Sequence, residues 1–303
     1  MTKKLAMDWN QDTDLSPDLT SPKILAKNMS SIKDAIDQTI ILAYKEDTEP
    51  LETFFLEQKF GCQVIRQKHK TGHKGYSPSY LCMLNHCNAW LKVIASNQPT
   101  LICEADFVPV RNLASLPLPY DPALGDMGIA WLYTCAPQIY HVLPNNQAVG
   151  FSTSMVAYIL TPIGAKHLID MAFQIAQASE PKQYSTWDSL IEEFLRIRGL
   201  NGYVPWRNYG EHGGKPNPEH KKAGFSPAHR ADVLYGQLAF APLYTAMQPY
   251  PGLHVLCSRL KARIKGLGRL ALGRYLRLPV LAESTTPLKM LRFAIGRQLT
   301  LRP

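Results

Sequence analysis

Two carboxylates, Glu104 and Asp106, stand one residue apart where the apolar run 100–103 ends in Glu-Ala-Asp. In extended backbone, residues i and i+2 project from the same face, so the pair can grip one cation. Hard oxygen ligands suit Mg2+ or Mn2+ and leave positions open for water and phosphate oxygens. An ion held there would offset the charge that gathers on a departing diphosphate. The plainer alternative is two solvated acids at a strand end, since acid-x-acid spacing is common. A second group lies far along the chain, in 209–220 (YGEHGGKPNPEH). His212 is a candidate third ligand or diphosphate contact, acceptable for Mn2+ but a poor partner for Mg2+. The two glycines behind it permit close backbone approach to a ligand. Lys215 and Lys221 are placed to neutralise phosphate charge, the alternative being a plain surface loop. His86 shares a helical face with Cys82, Ala89 and Val93. It is either a donor contact that orients a loop or a hydrogen-bonded structural histidine.

These residues need elements to hold them. The run 38–44 (QTIILAY) reads as a strand, 49–60 as a helix stopped by Gly61, and 63–66 as a second strand. Residues 79–97 form the next helix, with Tyr80, Leu84, Cys87, Leu91 and Ile94 on one face. Strands follow at 100–103, 128–133 and 155–161. Thr161 and Pro162 cap a helix over 163–176, and another helix runs from Ser185 or Thr186 to Gly199. The stretch 210–228 reads as irregular. Strands alternating with helices predict an α/β fold, a mostly parallel sheet with helices on both faces. Ligands of such sheets lie at the carboxyl ends of the strands. The chain divides into a leader (1–37), a body (38–250) and a basic helical tail (251–303).

The 303 residues are 46% hydrophobic and 19% charged, enough apolar material for a full core, which excludes a disordered chain or a disulfide-stapled miniprotein. Six cysteines form no CxxC pair, so a zinc ribbon is not expected and a reducing compartment is. The chain has no apolar run long enough to span a bilayer, and MTKKLAMDWN is no signal region, so a cytoplasmic location is expected. The net charge of +9 is lopsided. Residues 256–303 hold 11 Lys/Arg against one acid, Glu283, whereas residues 1–255 hold 22 basic and 23 acidic groups. A near-neutral body argues against nucleic acid as the partner. As a helix, the tail sets Leu256, Leu260, Ile264, Leu267 and Leu270/Ala271 on one face, flanked by Arg259, Lys261, Arg263, Lys265 and Arg269. Such a helix can lie on an anionic membrane, each cation contributing about 1 kcal/mol. Gly266, Gly268 and Gly273 count against the helix. A solvated basic tail and nucleic-acid contact are the alternatives.

The segment SYLCMLNHCNAWLKVIASNQPTLICEADFVPV resembles glycosyltransferase family 25, the lipopolysaccharide-type galactosyltransferases and their collagen-modifying relatives. That family carries a Cys-x-x-Ser-His-x-x-x-Trp-like helix and then an apolar strand ending in Glu-Asp-Asp. Here Cys82, Asn85, His86 and Trp90 stand in matching order, followed by Glu104, Ala105 and Asp106. The run 155–168 (MVAYILTPIGAKHL) looks like the family's next strand-to-helix segment, and Asp188 in STWDSLIEEF falls at its following Asp. The resemblance covers about residues 38–198. Asn85 replaces the usual Ser and Ala105 the middle acid, which weakens the charge available to an ion.

The resemblance implies a GT-A-type, Rossmann-like fold, a UDP-sugar donor (typically UDP-galactose), Mn2+ or Mg2+, inversion at the anomeric carbon, and a glycan or lipid-linked acceptor of the cell envelope. Inversion needs a base for the acceptor hydroxyl. Asp188 is the candidate by family position, with Glu192 and Asp126 as rivals; an acid favoured by a helix dipole is the alternative. In such a fold the exit of the first strand meets the nucleotide, which makes Tyr44 a candidate for stacking on the base, with Lys45 beside it and Arg66 toward phosphate. The competing readings are a non-catalytic homologue that binds a glycan or partner, and a membrane-surface protein acting through its tail.

Overall fold

The computed structural model describes residues 30–299, apart from 144–146, 217–221, 223, 225, 227 and 247. Lys221 and residues 1–29 of the leader therefore lie outside the described residues. In chain order the elements are α1 (Ile32–Ala35), β1 (Gln38–Ala43), α2 (Glu49–Glu57), β2 (Gly61–Arg66), α3 (Pro78–Ser96), β3 (Thr100–Glu104), β4 (Phe107–Pro109), β5 (Met127–Trp131), β6 (Gln138–Val142), β7 (Ala148–Phe151) and β8 (Ala157–Leu160). They continue with α4 (Pro162–Ala178), a 3-10 turn (Trp187–Leu190), α5 (Ile191–Arg196), β9 (Asn201–Val204), β10 (Gly210–His212), α6 (Pro251–Ala271), α7 (Leu278–Glu283) and α8 (Pro287–Leu299).

Eight strands form one sheet in the order β2-β1-β3-β8-β5-β9-β7-β6. β2, β1 and β3 run parallel, as do β5 and β9, whereas β8 and β7 pair antiparallel with their neighbours. Following these directions across the sheet, only β8 and β7 oppose the other six. The fold is therefore α/β with a mostly parallel sheet, and the carboxyl ends of β1, β2, β3, β5 and β9 share one edge. β4 and β10 form a separate two-stranded antiparallel ribbon beyond β3.

Strand alternation divides the core in two. Ile40, Leu42, Ile102, Ile129, Trp131, Tyr158 and Leu160 pack with α3 and α4 on one face. Ile41, Leu101, Cys103, Ala130, Ala157 and Ile159 pack with α1 and α2 on the other. Ser77 caps α3 by accepting from the Tyr80 N–H, and Thr161 caps α4 by accepting from the Gly164 N–H. Gly164 is required there, because a Cβ would lie 2.3 Å from the Gly128 carbonyl of β5.

Several elements differ from the expectation. β4, β6, β7, β9 and β10 are three to five residues long, too short for a period to stand out. β10 opens the stretch read as irregular, and the helix expected up to Gly199 is a 3-10 turn followed by the six residues of α5. Ile32 and Ile36, in the segment read as a leader, are fully buried. The tail also enters the body: Tyr275, Leu276, Met290, Phe293 and Ala294 belong to the core face that holds α3. Gly266 lets α6 approach α8, since a Cβ would come within 3.0 Å of Asp232 and Gln298. Gly273, at φ 64°, follows the last residue of the α6 cap.

Arg297 of α8 is fully buried and forks onto Asp232, its Nη2 donating to Oδ1 at 2.8 Å and its Nη1 to Oδ2. Gln298 donates to the same carboxylate at 2.8 Å. Removing one partner leaves a buried charge uncompensated. Arg297→Met is expected to cost about 3–5 kcal/mol in denaturant unfolding, and the double variant Arg297→Met/Asp232→Leu to cost less than the single one.

Candidate functional site

β3 ends at Glu104, the chain turns through Ala105 and Asp106, and β4 begins at Phe107. The two acids thus meet across a turn and not along extended backbone, which corrects the geometric premise while leaving the pair together. Three hydrogen bonds fix the turn: the N–H groups of Glu104, Ala105 and Gly213 donate to the carbonyls of Val156, Leu42 and Asp106 at 2.9, 2.8 and 2.7 Å. The last bond extends the β4–β10 ribbon, whose register sets His212 opposite Phe107. Glu104, Asp106 and His212 each offer a ligand atom, all within 4.8 Å of one another. His212 Nε2 lies 3.0 Å from Asp106 Oδ2, and Oδ1 of the same carboxylate is buried with no partner among the described residues. Two carboxylates and an imidazole this close together are a donor set that could hold a divalent ion. Gly214 closes the cluster, and a Cβ there would fall 2.1 Å from Asp106 Oδ2.

Glu104 is held from behind. Cys82 Sγ and His86 Nε2 both lie 3.4 Å from its Oε1. His86 Nδ1 and Trp90 Nε1 each lie 2.8 Å from the Tyr158 hydroxyl. Indole N–H can only donate, so the Tyr158 oxygen accepts from Trp90 and directs its own hydrogen to His86 Nδ1. Nε2–H of His86 then donates to Glu104. His86 is completely buried and both its nitrogens are engaged within the protein, so it does not touch a bound donor. It takes the structural alternative, as a positioning residue for Glu104.

Burial works against the charge of Asp106, but His212 and Arg230 beside it prevail and hold the carboxyl below its usual range. Burial also works against the imidazolium of His212, and Asp106 with Glu104 raises it above the ordinary histidine value nonetheless. Arg230 clamps this corner, donating to the carbonyls of His212 at 2.8 Å and Gly214 at 2.9 Å. Asp188 lies in the 3-10 turn before α5 and is half-buried. Burial pushes it up to about 7, the backbone N–H groups of Ser189 and Asp188 oppose this, and the charge of Glu104 adds to the rise. A carboxyl at that value is poised to take a proton near neutral pH.

The rivals for that role are committed elsewhere. Asp126 accepts from Asn201 Nδ2 at 2.7 Å and Tyr203 Oη at 2.8 Å, and it precedes β5, at the edge opposite Glu104. Glu192 accepts from Arg196 at 2.9 Å. Tyr44 follows β1 at the carboxyl edge, half exposed, its ring stacked 4.3 Å from that of His69 with Lys45 Nζ 4.9 Å from its centroid. Arg66 ends β2 but spends its guanidinium on the Glu46 carbonyl and the Thr48 hydroxyl, at 2.9 Å each. It braces the loop after β1 and does not reach toward the acid cluster. Lys215 lines a cavity of about 730 Å³ together with Arg230 and the inner side of α6. Sequence reasoning missed Arg230, Tyr158 and Glu211. Tyr158 sits in an apolar strand where a tyrosine reads as core, and Arg230 stands in a stretch without periodicity.

No family model matches the chain, and no curated protein matches it. Among solved structures, it is similar to a glycosyltransferase involved in the glycosylation of the major capsid of PBCV-1. The TM-score is 0.36 and the identity 12%, over 55% of this chain and 80% of that one.

Glu211, in β10, is fully buried, with Oε1 accepting from the Ala231 N–H at 2.9 Å and Oε2 without a partner among the described residues. Burial pushes it up to about 7. A folded value above the unfolded one favours the protonated native state, so this contribution is present in acid and lost as pH rises from about 4.5 to 7. The loss is on the order of 3 kcal/mol. Thermal melts of Glu211→Gln against the parent are expected to lie closest below the unfolded value of 4.5 and to separate by pH 8, with the variant the more stable.

Proposed function

We propose that the chain is a metal-dependent, inverting glycosyltransferase that moves a hexose, galactose by the sequence resemblance, from a UDP-sugar to a cell-envelope glycan. The observation that carries this is the convergence of Glu104, Asp106 and His212 at the carboxyl edge of the sheet, with Asp106 Oδ1 lacking a partner among the described residues. Two carboxylates and one imidazole fit Mn2+ better than Mg2+. When bound, the ion supplies positive charge against the donor diphosphate. Asp188 takes the proton of the acceptor hydroxyl as its oxygen bonds to the anomeric carbon and the bond to the diphosphate oxygen on the opposite face breaks. Cys82 and His86 keep the Glu104 carboxylate oriented. Tyr44 and Lys45 meet the nucleotide, and Lys215 and Arg230 lie on the diphosphate side.

Two residues depart from the family pattern and motivate the alternative of a non-catalytic homologue. Asn85 donates to the Ala43 carbonyl at 3.3 Å and so fastens the end of β1. Ala105 is half-buried and packs against the second core face. Both departures from the family pattern are thus absorbed structurally.

No helix among the described residues is long and apolar enough to cross a membrane. On α6, Leu253, Leu256, Leu260, Ile264 and Leu267 form an exposed row on a helix that also carries Arg259 and Arg263. This supports attachment to an anionic bilayer surface, the inner face of the membrane for a cytoplasmic enzyme, where lipid-linked acceptors are presented.

Purified Asp106→Ala is expected to lose at least a hundredfold in transfer from UDP-sugars with Mn2+, and to lose metal-linked UDP binding in calorimetry, with an unchanged circular dichroism spectrum. Retained turnover would remove the assignment. Asp188 must be ionised to accept a proton, so activity should rise with pH through an apparent pKa near 7. In Asp188→Asn the residual rate should be small and flat across that range.

A further inference from the structure

The cavity of about 730 Å³ next to the acid cluster has a strongly one-sided charge. Lys215 and Arg230 stand at the end toward His212, and Lys261, Lys265 and Arg269 line it from α6. The one acid in the described lining is Asp232. That carboxylate is already committed to Arg297, Gln298 and Asn208. Neither Lys261 nor Lys265 has an ion-pair partner among the described residues. Such a concave site focuses positive potential and calls for an anion.

The donor does not account for all of it. A diphosphate held at Glu104, Asp106 and His212 is within range of Arg230, which is bonded to the backbone of that same corner. Lys261 to Arg269 extend for about 12 Å along α6, toward the side where the helix meets α8 and away from the acid cluster. Ala262 and Gly266, on the same helical side as these cations, leave the cavity wall low between them. Three cations of α6, Lys261, Lys265 and Arg269, thus border the cavity, and its leucine row is exposed.

We infer that this cavity is a second anion site, which binds a phosphate-bearing saccharide acceptor beside the donor. The word acceptor rests on the transferase reading above; the anion site does not. Lys261, Lys265 and Arg269 bind the phosphate groups, and the sugar extends toward Asp188 and the acid cluster.

The test titrates the full chain with inorganic pyrophosphate in EDTA, which silences any ion-dependent donor binding. Saturable binding that weakens at least tenfold in Lys261→Gln/Lys265→Gln is expected, with UDP–Mn2+ binding changed less than twofold. Absence of pyrophosphate binding in EDTA, or equal affinity in the variant, overturns the site. Should the double variant melt early, Arg269→Gln is read in its place, with the same tenfold loss expected. Two further arms separate the sources of phosphate. A soluble sugar diphosphate should compete with pyrophosphate, and vesicles with 30% phosphatidylglycerol should not displace it. Displacement by the vesicles, or a variant that loses vesicle binding while keeping pyrophosphate affinity, assigns the lysines to a surface and overturns the cavity. A protein that binds pyrophosphate in EDTA but no UDP with Mn2+ keeps the anion site and loses the transferase reading; the reverse result loses the anion site alone.

Discussion

Everything at the carboxyl edge depends on one short contact between residues 106 positions apart, Asp106 Oδ2 and His212 Nε2. Neither side chain would hold its place alone. Asp106 occupies a turn that lacks the ladder of a strand, and His212 ends a three-residue strand that has only β4 as a neighbour. The ribbon fixes the backbones, the Gly213–Asp106 bond closes it, and the missing Cβ of Gly214 leaves room for the carboxylate. A half-buried acid needs a positive partner in this position. The imidazolium supplies it, and the same atoms are those that a divalent ion would claim. On the proposed reading, an ion there would have to displace the proton of His212.

The electrostatic design around that contact is graded. Burial opposes the charge of Asp106 but His212 and Arg230 hold it below the usual range, whereas burial, with the charge of Glu104 adding, pushes Asp188 up to about 7. Two carboxyl groups at one edge therefore differ in what they can do, one as a ligand and one as a base. Glu104 is kept from joining either role loosely. Burial beside Glu104 keeps the Cys82 thiol protonated, so that it donates, and the Trp90–Tyr158–His86 chain fixes the imidazole. Three aromatic or heteroaromatic side chains are spent on aiming one oxygen.

Much of this was legible in the residues. The strands that read clearly (38–44, 100–103, 155–161) are the central ones, because burial on both faces leaves continuous apolar runs. The cap at Thr161 was legible because capping is local chemistry. The ribbon was not, since three residues carry no period and a proline in β4 argues against a strand. Without the ribbon, His212 remained one ligand candidate among loop histidines. Tyr158 was hidden for the opposite reason: it lies in a run so apolar that its hydroxyl drew no attention. Arg66 shows the converse error. A basic residue at a strand exit suggested phosphate, and in the fold Arg66 also donates to the loop it closes, at the Glu46 carbonyl and the Thr48 hydroxyl.

The tail is where composition alone misleads most. Its excess of positive charge and its leucines describe a detached amphipathic helix, but the fold divides the two properties. Arg297 is taken into the core to meet Asp232, and Gly266, which weakens a free helix, is what lets α6 lie against α8. Once α6 is pinned, Lys261, Lys265 and Arg269 line the cavity and the leucine row stays exposed. An amphipathic helix that packs by its small residues has both of its other sides free for ligands. Three of the tail's basic residues, Lys261, Lys265 and Arg269, therefore line the cavity that Arg230 also borders.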